Sequence, residues 1–169
     1  MYYGGIMMEL KNIQMSCWNK KEISTGSVEE DYLCPVCNGH TQKVNSITVK
    51  HFVIDSLMRK IKDEDFYICL NDECDVTYFN SLKDLVFRAQ DLKIPIWFKK
   101  GARPKYICYC NDVTEDEIIN AVLRNGARNI KDIIKLTGAM RKCNCEANNP
   151  LGKCCSPFIQ ETINKAMNL

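Results

Sequence analysis

The chain has 169 residues, enough for one or two small domains, and 46% of them are hydrophobic and 26% charged, as in ordinary globular proteins. The formal net charge of +2 gives no indication of a nucleic-acid-binding surface. We identify no signal peptide and no apolar stretch of membrane-spanning length, so we expect a cytoplasmic protein without membrane insertion. Eleven cysteines are the unusual feature. In a reducing compartment such a density favours metal ligation over disulfide bonds.

Three parts follow one another along the chain. Residues 1–30 mix polar and apolar side chains, and we interpret them as a weakly ordered leader that contains one isolated cysteine, Cys17. Two domains are predicted after it, at residues 31–98 and 104–169. The segment that joins them, Phe98–Lys105, carries Gly, Pro and four charges. This composition is typical of a solvated hinge.

The first predicted domain combines a short helix with a β-hairpin. Apolar residues recur with a helical period from Thr48 to Ile61 and predict a helix there. β-branched and aromatic residues predict two strands at 66–70 and 76–79, with a turn at 71–73 between them. A third strand is predicted at 85–87.

Two cysteine pairs in this domain have the spacing of a zinc site. Cys34 and Cys37 form a C-x2-C pair in a turn with Pro and Gly, and Cys69 and Cys74 form a C-x4-C pair around the predicted hairpin. Zinc prefers a tetrahedron of thiolates, and structural zinc sites take all four ligands from the protein. We therefore predict a structural zinc site, with His40 as an alternate ligand. Because we expect little apolar core here, folding of this half should depend on the metal.

The second predicted domain is mainly helical. Capping residues and glycines delimit three helices, with starts at Thr114, Asn129 and Ser156 and stops at Gly126 and Gly138. The predicted fold class is therefore α+β, in which a zinc-ribbon-like half with a short helix and a β-hairpin precedes a small helical half.

Six cysteines of the second domain lie in three close pairs, Cys108/Cys110, Cys143/Cys145 and Cys154/Cys155. A [2Fe–2S] cluster needs four thiolates, and two predicted helices begin just after the first and last pairs, where their N-termini would favour an anionic cluster. We predict a [2Fe–2S] site with two ligands from the first pair and two from the later pairs. Spacing alone leaves open which later cysteines ligate, and a second zinc ion is the alternative.

Two aromatic residues lie near these motifs. Tyr109 stands between two predicted cluster ligands, and we expect it to shield the sulfurs from water. Trp97 precedes the joining segment, and we expect it to pack at the junction of the two domains.

The second domain resembles the [2Fe–2S]-binding domain of bacterioferritin-associated ferredoxin (Bfd). The resemblance rests on the C-x-C pair followed by Val113-Thr-Glu115 and Thr137-Gly-Ala139. The C-x2-C ending of that family is replaced by Cys-x3-Asn-Pro-x-Gly-x-Cys-Cys. Together with the Cys-Pro-x-Cys of the first domain, this ending resembles the N-terminal region of CopZ-type copper chaperones, over residues 32–165.

The CopZ resemblance implies both cofactors, one zinc ion and one [2Fe–2S] cluster. It also implies that Cys145 and Cys155 are the third and fourth cluster ligands, with Cys143 and Cys154 as alternates. In CopZ-type chaperones this region precedes a small Cu(I)-binding domain. The sequence contains no Met-x-Cys-x-x-Cys motif, so we expect a separate protein to deliver copper.

The resulting hypothesis is that the chain transfers single electrons to a protein redox or metal-trafficking partner. The resemblance implies reduction of Cu(II) to Cu(I), with a copper chaperone or a copper ATPase as the partner. Two alternatives remain: a cluster-bearing scaffold without obligatory electron transfer, and a structural protein with two zinc ions. We identify no catalytic triad and no nucleotide loop, so we expect no enzyme and no catalytic residues, although metal reductase activity remains open.

Overall fold

The structure is a computed structural model, and it describes residues 32–169. The predicted leader and Cys17 lie outside the described residues. The strands are β1 Thr41–Val44, β2 Phe66–Cys69, β3 Val76–Asn80, β4 Val86–Arg88, β5 Tyr106–Cys108 and β6 Val113–Thr114. The helices are α1 Ser46–Phe52, α2 Glu115–Asn125, α3 Ile130–Thr137, α4 Cys145–Asn148 and α5 Ser156–Met167. This arrangement confirms the α+β class, with strands mainly in the first half and helices mainly in the second.

The first half contains a four-stranded antiparallel sheet with the order β1-β2-β3-β4. The predicted hairpin is confirmed as β2 and β3, and the predicted third strand as β4. Strand β1 was not predicted, because its four residues are too few to establish an alternating pattern. It pairs with β2 from Thr41 opposite Cys69 to Val44 opposite Phe66, so the sheet is larger than the predicted hairpin.

The two faces of this sheet have different roles. Along β2, Phe66 and Ile68 lie in a large apolar core with α1, whereas Tyr67 and Cys69 belong to a second cluster on the other face. The register of β3 shifts between Val76 and Tyr78, a β-bulge. The face of the sheet that packs against α1 therefore contributes to a substantial apolar core. The expectation of little core in this half was wrong.

Helix α1 is shorter than predicted, because it ends at Phe52 instead of Ile61. Val53 is extended and forms an isolated β-bridge with Leu92, and the N–H of Ile54 donates to the carbonyl of Asp91 at 2.9 Å. This pairing with a distant segment overrides the local helical period. A short 3-10 turn at Met58–Lys60 follows.

The segment between the halves is anchored by a buried lysine. Lys99 is 6% exposed, and its Nζ donates to the carbonyl oxygens of Asn71 at 2.7 Å, Cys74 at 3.1 Å and Val76 at 2.9 Å. An ammonium group carries three donors and can satisfy three carbonyls that converge on one point. The prediction of a solvated hinge is therefore wrong at Lys99.

The helices of the second half begin and end almost where their capping residues predict. In α2, Thr114 and Glu117 form the capping box, with the Thr114 N–H donating to Glu117 Oε2 at 2.8 Å. Gly126 and Gly138 end α2 and α3 with φ of 71° and 80°, which glycine adopts without steric cost. In α5 the N-cap is Cys155 and not the predicted serine. No helix in residues 32–169 is long and apolar enough to cross a membrane.

The two halves share buried residues, and the predicted boundaries at 98 and 104 stay predictions. Trp97 packs against the cores of both halves, as expected, and its ring lies 4.7 Å from that of Phe158. Tyr109 and Leu151 come from the second half but lie in the core of the sheet. The two halves therefore interlock.

Candidate metal centres

The four cysteines predicted to bind zinc come together at one end of the sheet. The sulfurs of Cys34, Cys37, Cys69 and Cys74 all lie within 4.8 Å of one another. Cys34 Sγ is 4.0 Å from Cys74 Sγ, and Cys37 Sγ is 3.6 Å from Cys69 Sγ. Four thiolates bound to one zinc ion at about 2.3 Å would lie about 3.8 Å apart. The donor set therefore fits a tetrahedral zinc ion.

Nearby hydrogen-bond donors favour the thiolate form, which zinc requires, at Cys37. Desolvation opposes ionisation of Cys37, but hydrogen bonds from the Gly39 N–H, at 3.3 Å, and from the Asn71 side chain lower its pKa to about 6. Burial raises the pKa of Cys69, and the Lys99 ammonium partly offsets this effect. A bound cation would stabilise the anionic form of all four sulfurs.

His40, the predicted alternate ligand, is not brought into this group. Its side chain is exposed, and within residues 32–169 the group of candidate ligand atoms consists of the four cysteine sulfurs alone. Four sulfurs complete the tetrahedron of a structural zinc site. The assignment of these four cysteines as ligands stays a prediction, and the geometry supports it.

A second group of cysteines lies in the helical half. Cys108 ends β5, and Cys110 lies within the 3-10 turn Tyr109–Asn111 that follows. Cys145 begins α4, and Cys155 is the N-cap of α5. Cys110 Sγ lies 3.8 Å from Cys145 Sγ, and Cys155 is close enough to Cys108 and Cys145 to lower the pKa of both. The structure thus brings together the four cysteines that the CopZ resemblance implies.

Several donors point at these sulfurs. The Met140 N–H and the Asn111 side chain donate to Cys108 Sγ, each at 3.4 Å, and the Asn144 N–H donates to Cys110 Sγ at 3.4 Å. Hydrogen bonding with Cys155, reinforced by the Met140 amide and Asn111, lowers the pKa of Cys108 to about 5. Four clustered thiols with N–H donors around them fit an anionic iron–sulfur cluster.

The segment that links Cys145 to Cys155 contains one further donor. Asn149 is 1% exposed, and its Nδ2 is the one buried side-chain nitrogen or oxygen in residues 32–169 without a hydrogen-bond partner. Buried donors of this kind are rare and call for an acceptor that the polypeptide does not supply. The unpartnered amide is consistent with a bound group next to this segment.

Only one of the two predicted helix N-termini contacts the cysteines. The N–H of Cys155, at the start of α5, donates to Cys145 and helps to lower its pKa to about 6, after the larger effect of the Cys155 thiol. The first turn of α2 is instead satisfied by its own capping box of Thr114 and Glu117. Backbone N–H groups in loops donate to the sulfurs, which is the role expected of the N-terminus of α2. The sequence does not predict these donors.

The remaining cysteines of this half lie outside the central group. Cys143 is exposed and donates to the carbonyl of Met140 at 3.1 Å, and Cys154 contacts Ser156 Oγ at 3.5 Å. The expectation that Tyr109 shields the sulfurs from water stays a prediction. Its side chain is 7% exposed and lies in the core of the first half, near Phe52.

Comparison with known protein families supports two metal-binding domains. Residues 31–93 match the zinc binding domain family of CopZ, and residues 106–165 match the BFD-like [2Fe-2S] binding domain family. Each match contains the cysteines that we predict for the corresponding centre. The two matches lie on either side of Lys99.

A relative and a solved structure agree with these matches. The chain is 38% identical over 122 residues to the copper chaperone CopZ of Archaeoglobus fulgidus. The aligned region is 72% of this chain and 57% of the relative. It also matches the X-ray structure of the N-terminal domain of that CopZ with a TM-score of 0.64 and 36% identity, over 77% of this chain and 96% of that domain. This chain belongs to the CopZ N-terminal domain family. It spans a little over half the length of the whole A. fulgidus protein.

As a CopZ N-terminal domain, the protein binds zinc and a [2Fe–2S] cluster. The four predicted ligands would close the zinc centre, because they fill every position of the tetrahedron. The cluster centre is supplied by two chain segments, of which the second also carries the alternates Cys143 and Cys154. Which cysteines ligate the cluster stays a prediction.

Substitution of single cysteines tests this ligand set. We expect Cys145→Ala and Cys155→Ala to abolish the visible absorption of the [2Fe–2S] cluster, because each removes a sulfur from the central group. Cys143→Ala and Cys154→Ala are matched controls one or two residues away, and we expect both to retain two irons per chain. The measurement is iron and zinc analysis with visible spectra of anaerobic protein. If a control variant loses the cluster and the variant of the neighbouring predicted ligand retains it, the control cysteine is the ligand.

Proposed function

We propose that this CopZ N-terminal domain carries single electrons through its [2Fe–2S] cluster to a metal-trafficking protein, and that its zinc ion is structural. The proposal is supported by the different exposure of the two centres. Three of the four zinc-centre cysteines are buried, whereas Cys110 and Cys145 of the cluster centre are partly exposed. Exchange of an electron with another protein requires an accessible edge, and the cluster centre has one.

The surface next to this edge is basic. Arg141 and Lys142 are exposed in the loop that leads to Cys143. Positive side chains beside a redox centre attract an acidic partner surface and accelerate its association at low salt. The partner we propose therefore presents carboxylates around its own acceptor.

Copper is the metal that the relatives suggest. The A. fulgidus protein is named a copper chaperone, and delivery of copper as Cu(I) requires reduction of Cu(II) by one electron. In our proposal the reduced cluster supplies that electron and returns to its oxidised form. The recipient is a copper chaperone or a copper ATPase, and the chain acts as an electron carrier and not as an enzyme.

The state of the cysteines is consistent with action in the cytoplasm. No disulfide bond joins two of the cysteines in residues 32–169. Cysteines at this density without disulfide bonds are typical of a reducing compartment. We therefore include a cytoplasmic location in the proposal.

Stoichiometric reduction of copper tests the function. Anaerobic protein with one cluster per chain is reduced with dithionite, freed of reductant and mixed with Cu(II) and a Cu(I)-specific chelator. We expect one Cu(I) per reduced cluster and full recovery of the oxidised visible spectrum. The control is the same protein with its cluster left oxidised. It should form one Cu(I) fewer per chain, because thiols outside the centres reduce Cu(II) equally in both samples. EPR spectroscopy should show a reversible signal of the reduced cluster over repeated cycles.

The scaffold alternative predicts a different result. If the cluster moves to an apo-acceptor protein faster than it exchanges electrons, the chain is a cluster donor. Irreversible bleaching on the first reduction, without Cu(I) formation, would rule out the carrier. Absence of iron after anaerobic reconstitution would rule out both and leave the two-zinc alternative.

A further inference from the structure

The segment between two predicted cluster ligands is held by side chains of the zinc half. Thr48 Oγ1 of α1 donates to the carbonyl of Glu146 at 2.6 Å, and Tyr78 OH of β3 donates to the carbonyl of Pro150 at 3.0 Å. Both donors are fully buried. Gln42 Nε2 of β1 donates to a third carbonyl of this segment, that of Leu151, at 2.8 Å. We call residues 146–151 the ligand segment.

The sequence explains why the ligand segment needs these donors. The carbonyl of Glu146, in the first turn of α4, would ordinarily accept from the N–H of residue 150, but that residue is proline and has none. Thr48 supplies the missing donor. Gly152, just beyond the segment, has a φ of 64°, and a Cβ there would lie 3.4 Å from Thr48 Oγ1. The chain therefore passes close to α1 at this point.

The other pair of predicted ligands is also anchored in the zinc half. Tyr109, between Cys108 and Cys110, places its ring 5.3 Å from that of Phe52 in α1. Its hydroxyl donates to the carbonyl of Pro95 at 2.8 Å and accepts from the N–H of Trp97 at 3.0 Å. Both chain segments that carry cluster cysteines are thus fixed from outside the helical half.

We propose that the zinc half is the positioning element of the [2Fe–2S] centre, and that Thr48, Tyr78 and Tyr109 are its positioning residues. They do not touch the cysteine sulfurs, but they fix the backbone on which the sulfurs stand. Loss of one hydroxyl leaves a buried carbonyl without a donor and frees the ligand segment to open. The inference holds whichever cysteine of each later pair ligates, and it does not depend on electron transfer to copper.

Variants that remove single hydroxyl groups test the proposal. We expect Thr48→Val and Tyr78→Phe, in protein with zinc and cluster bound, to release iron to a chelator about tenfold faster than the unsubstituted protein, because each loses one buried hydrogen bond. Zinc content should stay at one per chain. The EPR signal of the reduced cluster should also change shape, since displaced ligands alter its electronic environment. Thr48→Ser keeps the donor and should restore both readouts.

The matched control removes a similar bond within the zinc half. Thr77 Oγ1 is buried on β3 and donates to the carbonyl of Phe87 at 2.9 Å, away from the ligand segment. Thr77→Val should lower thermal stability about as much as Thr48→Val while leaving iron release and the EPR signal unchanged. Equal iron release from the two valine variants, or none above that of the unsubstituted protein, would overturn the proposal.

Discussion

Removal of zinc is expected to lower the melting temperature of the protein by about 20 °C or more. Structural zinc sites contribute about 10 kcal/mol of apparent binding free energy, and each kcal/mol shifts the melting temperature of a small domain by about 4–8 °C. Without the ion, four thiols remain crowded within 4.8 Å of one another. Without the ion, these thiols no longer fix the C-x2-C turn against the loop between β2 and β3.

The apolar core on the other face of the sheet makes this loss local at first. Val49, Phe52 and Phe66 are fully buried in a core that contains no zinc ligand. Hydrogen exchange should therefore lose protection in residues 32–40 and 70–76 before it loses protection in α1. The experiment uses a zinc chelator, and the visible spectrum records that the cluster is still bound. Readdition of zinc should restore both the melting temperature and the exchange pattern.

Two outcomes would contradict this expectation. An unchanged melting temperature after complete zinc removal would show that the thiols alone hold the site. Uniform loss of protection across the whole sheet would show that the core depends on the metal, as the sequence first indicated.

Replacement of Lys99 should destabilise the protein more than replacement of any other lysine in residues 32–169. Lys99→Met keeps the aliphatic chain but removes an ammonium group that serves three carbonyls, among them that of the predicted zinc ligand Cys74. Hydrogen bonds to a charged group are worth about 1.5–3 kcal/mol each, and the removal of a buried charge offsets part of their loss. We expect the free energy of unfolding to fall by about 3 kcal/mol and zinc release to accelerate.

The neighbouring lysine is the matched control. Lys100 forms an ion pair with Glu73 at 2.6 Å, and its side chain is 73% exposed. Exposed pairs contribute about 0–1 kcal/mol to stability. The Lys100→Met variant should therefore unfold at almost the same denaturant concentration as the unsubstituted protein. Denaturant unfolding of both variants gives the comparison. Similar midpoints would mean that the three carbonyls find water or other donors when the ammonium is removed.

The parts of the fold that the sequence predicts are those with local chemical signals. The capping box at Thr114 and the stops at Gly126 and Gly138 delimit helices because their hydrogen bonds and backbone angles involve only near neighbours. The end of α1 could not be predicted, because Val53 leaves the helical path to pair with Leu92, which is distant in the chain. Strand β1 is similarly defined by its partner and not by its own four residues.

The candidate centres show the same division. Paired cysteines indicate both sites, since ligands of one metal ion often come from a single turn. Lys99 has no comparable signal, and its sequence neighbours Lys100 and Gly101 suggest a solvated loop. The roles of Thr48 and Tyr78 likewise depend on a segment about a hundred and about seventy residues further along the chain. Spacing within one stretch of sequence carries no information about such contacts.

The alternation along β2 places two separate constraints on one short strand. Tyr67 and Cys69 face the zinc centre, whereas Phe66 and Ile68 face the core that also contains Tyr109 and Leu151 of the second half. Successive residues of this strand therefore face the zinc centre and the core shared with the second half. A shift of one position in the pairing of this strand would exchange the two sets of side chains and disturb both centres at once.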